Sequence, residues 1–240
     1  AYMLGRFSSD LSTVARYSDE SGYVHGGEEV KALEQILARA REANAILIGE
    51  EGVGTLEVVQ DFAHDIQNGY VLPELAHKRV VALDGQALVA SVKSKTELEQ
   101  EVISVFEDAI SAGNIILLLE DLPGFITDAK GLDVDIPNLL DRYLGSERLQ
   151  LIATSETGKF QEIIEPNGTL SRRFERVFLL EPAEENIVRI LETTARRFES
   201  RYRELFFTYQ SIRELVEGAV RYFPDGVMPD KAIDLLVELI

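Results

Sequence analysis

The chain has 240 residues, 45% of them hydrophobic, enough for one large domain or two small ones around a genuine core and too apolar for a disordered chain. Its 42 acidic and 24 basic side chains leave a formal net charge of −18, which argues against a nucleic-acid backbone or an anionic membrane surface as main partner while still permitting a small anion held by local backbone dipoles. The absence of cysteine excludes disulfides, thiolate metal sites and a cysteine nucleophile, and His25, His64 and His77 are too scattered to suggest a metal centre.

In chain order, residues 1–26 are polar and serine-rich and read as a loosely held arm. Residues 28–42 place Val30, Leu33, Ile36 and Leu37 at helical spacing. "AILIG" is a short apolar strand ending in glycine, and "LEVVQDFAHDIQNG" a helix with Val58, Val59, Phe62 and Ile66 on one face, stopped at Gly69. "KRVVALD" is a second strand and "TELEQEVISVFEDAISAG" a helix stopped at Gly113. "NIILLLEDL" is a third strand, apolar on both faces as a central parallel strand must be. "IPNLLDRYLGSE" is a helix, "LQLIATS" a fourth strand, and "SRRFERVFLLEP" a loop and fifth strand. Alternating strands and helices predict an α/β fold with a parallel sheet flanked by helices. After Pro182 only helical patterns follow, so residues 27–182 form a large α/β part and 183–240 a small helical one. No secretory signal is visible, and no run approaches the ~18–20 apolar residues of a membrane span, so a cytoplasmic location is expected. The opening at Ala1 and the apolar close "AIDLLVELI" read as a segment of a longer polypeptide.

The turn "GEEGVG", Gly49 to Gly54, joins the first strand to a helix. Such a turn aims backbone N–H groups and the positive end of the helix dipole at an anion. Gly49, Glu50, Glu51, Gly52, Val53, Gly54, Thr55 and Leu56 are therefore candidate nucleotide-binding residues. The full phosphate-loop pattern, G-x-x-x-x-G-K-[ST], ends in a lysine for the outer phosphates and a hydroxyl for magnesium. Here Thr55 and Leu56 stand in those two places, and Glu50 and Glu51 add negative charge beside them. Taken alone, the turn reads equally as a strand–helix connection with no ligand. At the end of the third strand stand Glu120 and Asp121. An aspartate in such a place supports magnesium in phosphate-loop ATPases, which makes Glu120 a weak metal-ligand candidate and the pair candidate catalytic carboxylates. The alternative is two acids facing solvent or capping a helix.

The ordered stretches "LSTVAR", "ILIGEEGVG", "IQNGYVLPEL", "RVVALDGQALVA", "NIILLLEDL", "LIATS", "LSRRFERVFLLEP" and "MPDKAIDLL" resemble the first AAA+ module of Clp-type unfoldases and disaggregases, the ClpA, ClpB and ClpC group, over roughly residues 10–240. The resemblance implies a phosphate-loop AAA+ module with a small helical lid, assembly into a hexameric ring with copies or with a neighbouring AAA+ module, ATP or ADP with magnesium as cofactors, and protein substrates or an adaptor as partners. It implies that Arg172 and Arg173 reach the nucleotide of a neighbouring subunit, that Thr154 or Ser155 is the polar sensor near the γ-phosphate, and that Pro229, Asp230 and Lys231 bring the lid to the nucleotide. The departures are as specific. The family has lysine and threonine where Thr55 and Leu56 stand, and Asp-Glu where Glu120-Asp121 stands. It has an aromatic in the pore loop, where this chain reads Lys93, Ser94 and Lys95. Three working parts are altered while the fold signals remain.

That pattern implies a degenerate module with weak nucleotide binding, since a lost charge-assisted contact is worth ~1.5–3 kcal/mol and at least about tenfold in affinity. Two alternatives stand beside it. One is an active ATPase in which Glu120 holds magnesium, Asp121 acts as base, and Lys159 or Arg172 supplies the missing cation. The other is a nucleotide-free scaffold. A dinucleotide binder is excluded because "GEEGVG" lacks the G-x-G-x-x-G spacing.

Overall fold

The run Ile115-Ile116-Leu117-Leu118-Leu119 forms strand β4 (Ile115–Leu119), and all five side chains are buried. Ile115, Leu117 and Leu119 enter one hydrophobic cluster while Ile116 and Leu118 enter another, so the alternation of a strand feeds two cores on opposite faces of one sheet. The computed structural model describes residues 5–12, 27–145, 148–202 and 204–240. Around β4 lie β1 (Ser8–Asp10), β2 (Asn44–Gly49), β3 (Arg79–Leu83), β5 (Gln150–Glu156) and β6 (Glu175–Phe178). The sheet order is β1-β3-β4-β5-β2-β6, parallel throughout except for β1.

The helices of the sheet layer are α1 (Glu28–Leu37), α2 (Thr55–Asn68), α3 (Gly85–Ser91), α4 (Lys95–Ala112), α5 (Leu122–Lys130) and α6 (Ile136–Leu144). In α1 the four apolar positions at helical spacing are all buried. That helix ends at Leu37 rather than at residue 42, because Leu37 is its last apolar contact and the chain must turn back into β2. A third cluster, including Leu191, Ile212, Val216 and Leu236, holds α7 (Glu184–Arg201), α8 (Tyr209–Tyr222) and α9 (Asp230–Glu238) together as a separate helical lobe.

The topology assembles one edge. The strand β2 lies between β5 and β6, with β4 next to β5. The register pairs Gly49 with Glu156 and Leu119 with Ala153, so three parallel strands end side by side. In open α/β sheets ligands bind outside the carboxyl ends of the strands, where the order switches. All the strand-end residues singled out above collect there.

The expected loose arm is corrected in part. Residues 8–10 add an antiparallel edge strand to β3. Phe7, Leu11 and Ser12 are buried, the Val80 N–H donates to Ser12 Oγ at 3.0 Å, and Arg79 pairs with Asp10. A polar stretch is held here because backbone pairing does not depend on side-chain hydrophobicity. Residues 13–26, including His25, lie outside the described residues.

Candidate functional site

Every glycine of the turn between β2 and α2 has a reason in the chain's own geometry. A Cβ on Gly49 would stand 2.6 Å from Val53 Cγ1 and 3.1 Å from Leu179 Cβ. Gly52 and Gly54 have φ of 86° and 100°, the left-handed region that side chains resist. The Val53 N–H donates to the Glu50 carbonyl at 3.2 Å, which turns one candidate anion donor inward. Above the loop sits the start of α9. A Cβ on Gly52 would lie 2.7 Å from Asp230 Cβ and 2.9 Å from its Oδ2, so a lid carboxylate rests against the turn itself. The Met228 N–H donates to Glu181 Oε1 at 2.9 Å and Val227 packs on the core, tying the lid down. Between the lobes is a cleft of about 520 Å³. Glu50, Glu51 and Glu156 face it from the core, and Asp230, Asp234 and Glu238 from the lid, with Lys231 among them.

The end of β4 is arranged differently. Asp121 has φ 46° and ψ 59° and is the N-cap of α5, its Oδ1 accepting from the Gly124 N–H at 3.2 Å. The next residues, Leu122 and Pro123, begin the helix, where proline's fixed φ suits the first turn. The Asp121 N–H donates to Thr154 Oγ1 at 3.0 Å. The Thr154 hydroxyl thus holds the strand end, and Ser155 Oγ donates to the Glu156 carbonyl at 3.0 Å. Lys159, just past β5, places its Nζ 3.8 Å from Asp121 Oδ2 and 3.5 Å from Glu156 Oε2. Glu120 borders another cleft of about 590 Å³ with Asp84 and Phe125. Burial pushes its pKa up and the charge of Asp84 adds to the effect.

Comparison with known proteins fixes the family. A family model described as an AAA lid domain matches residues 183–239. The chain is 35% identical to the chloroplastic chaperone ClpD1 of Oryza sativa subsp. japonica, with 98% of this chain and 26% of that protein covered. It is 31% identical to the negative regulator of genetic competence ClpC/MecB of Bacillus subtilis, covering 98% and 29%. Among solved structures, the closed state of Hsp104 with ATPγS and FITC-casein superposes with a TM-score of 0.88 at 26% identity, over 99% of this chain and 40% of that one. The chain is a Clp-type AAA+ module. It spans about a quarter of the length of the curated relatives it matches.

Within the module the paired arginines part company. Arg173 is committed at home: its Nε donates to Asp141 Oδ1 at 2.7 Å and its NH1 lies 3.3 Å from Glu42 Oε1. Arg172 is exposed and forms no ion pair among the described residues. Lys93, Ser94 and Lys95, where the resemblance implies a pore loop, lie at the start of α4. Ser94 is the N-cap, its Oγ accepting from the Glu97 N–H at 3.3 Å, and Glu97 Oε2 accepts from the Lys93 N–H at 2.9 Å. Lys95 Nζ lies 3.6 Å from Asp133 Oδ2 in an exposed pair. Pro229 precedes α9 as its N-cap residue and Asp230 opens the helix.

The acids at the strand ends do not fit a magnesium ion. Magnesium takes ionised, convergent oxygens and keeps strict octahedral geometry. Here Asp121 is engaged by a helix cap and a lysine, Glu120 lines the other cleft together with Asp84, and Leu56 offers no hydroxyl. Among the described residues no group of three or more His, Asp or Glu side chains is placed to hold a metal. No helix among them is long and apolar enough to cross a membrane.

Proposed function

We propose that this module is a catalytically degenerate tier of a Clp-like protein-remodelling ring, contributing assembly or regulation while an adjoining AAA+ module hydrolyses ATP. The observation that carries the reading is Asp121: at the place where a water-activating acid is expected, the carboxylate caps α5 and meets Lys159. The missing loop lysine and the Ser94 cap at the pore-loop position support it from two other sites. Nucleotide binds weakly, through the backbone from Gly49 to Gly54, without a magnesium requirement. Arg172 faces the neighbouring subunit of the ring, and protein substrates or an adaptor are the other partners. The names of the relatives, chaperones and ATP-binding subunits of Clp proteases, and of the casein-bound Hsp104 neighbour support that setting.

A second reading, a nucleotide-free scaffold, draws on the acid-lined cleft and on Asp230 resting over Gly52. Calorimetric titration with ATP and ADP, with and without magnesium, separates the possibilities. Weak, magnesium-indifferent binding without turnover is the expected result. Tight magnesium-dependent binding with turnover overturns both readings, and silence at high nucleotide selects the scaffold.

A further inference from the structure

We infer that Lys159 is a built-in cation at the ends of β4 and β5, supplying from within the chain the positive charge that a divalent ion would bring to the Asp121 and Glu156 carboxylates. The inference rests on the degenerate-site reading above and gives it a physical agent. The observation is a three-element junction. Asp121 follows β4, Glu156 ends β5, and Lys159 is the last residue of the short helical segment Thr157–Lys159, its Nζ 3.8 Å and 3.5 Å from the two acids.

A lysine three residues beyond a glutamate often makes a local surface pair of little energetic consequence. Asp121 comes from another strand and is held independently, by its bond to the Gly124 N–H and by the Thr154 hydroxyl on its own N–H. Its carboxylate stays put whether or not Lys159 is there. The backbone of Glu156 is set by its register opposite Gly49, at the mouth of the loop, which brings its side chain to Lys159. Both carboxylates lie within 4 Å of the same ammonium, whose charge opposes theirs. A lysine ammonium is a compact point charge on a flexible stem and fills that place without coordination geometry. It also raises the cost of admitting a dication, which would meet a positive charge within a few ångströms.

The test is a manganese titration without nucleotide, followed by water-proton relaxation, on wild type and three variants. Wild type and Lys159→Arg are expected to show only weak, non-saturating binding to the acidic surface. Lys159→Met is expected to gain a saturable site at least about tenfold tighter. Lys159→Met combined with Asp121→Asn is expected to lose it again, and asparagine still caps α5, so the fold is kept. Should the methionine variant fail to fold by circular dichroism, Lys159→Gln carries the same expectation. A Lys159→Met titration indistinguishable from wild type overturns the inference. So does a saturable wild-type site that Asp121→Asn removes. Because no nucleotide is present, brisk ATP turnover would sink the degenerate-site reading while this titration still decided the role of Lys159.

Discussion

The turn after β2 and the acids after β4 stand on adjacent regions of one sheet edge, yet they depart from the phosphate-loop ATPase pattern in opposite ways. At the turn the backbone is kept and the residues differ: Gly49, Gly52 and Gly54 hold their tight or left-handed places, while Thr55 and Leu56 stand where the phosphate-loop pattern has lysine and a hydroxyl residue. At the strand end the side chains are present and otherwise engaged: Asp121 caps a helix and meets Lys159, and Thr154 anchors Asp121. One region differs from the pattern in the residues it holds, the other in what its residues are engaged with. On the proposed reading, activity would need insertion at the first and release at the second.

The largest effect separates the glycines that the loop needs from an ordinary helix-ending glycine. Gly52→Ala meets both a positive φ and the Asp230 side chain, and should cost about 3 kcal/mol by denaturant melting. Gly69→Ala, also at positive φ but with nothing within 4 Å, should cost about 1 kcal/mol. Equal costs would mean that the lid does not press on the loop. Next, Thr55→Lys with Leu56→Thr should tighten ATP binding at least about tenfold by calorimetry, with no turnover until the β4 end is repaired. No gain would show that the turn cannot admit a phosphate. Smaller still, Asp121→Ala should cost about 1 kcal/mol of stability and Asp121→Asn almost nothing, as expected of a cap.

A separate, pH-dependent effect concerns α2, the helix that leaves the turn. Burial, then the charges of Asp65 and Glu57, push Asp61 from 3.8 up to about 8. Across that interval the folded protein holds a proton that the unfolded chain releases, so stability falls as pH rises from 3.8 to about 8 and is level on either side. In melts across this range Asp61→Asn should flatten the slope. An unchanged slope would place the titration elsewhere.

Much of this fold can be read from residue order. Four of the five parallel strands, β2 to β5, are largely apolar runs, and β4 shows no alternation because both its faces are covered. The lid is legible as three helical patterns with no strand between them. The edge strand β1 is not, since Ser8, Ser9 and Asp10 carry no strand pattern and are held by a partner about seventy residues away. The Ser94 cap was available in "SKTE", a hydroxyl followed three residues later by a glutamate, and the Asp121 cap in "DLPG", an acid just before a first-turn proline. The meeting of Lys159 with Asp121 was not available, because it depends on β4 and β5 becoming neighbours.

The most direct measurement is steady-state phosphate release from ATP with magnesium, on the purified chain at concentrations high enough to assemble. The account predicts no release above a denatured control, for wild type and for Glu120→Gln and Asp121→Asn alike. Saturable release by wild type that either substitution abolishes would contradict it.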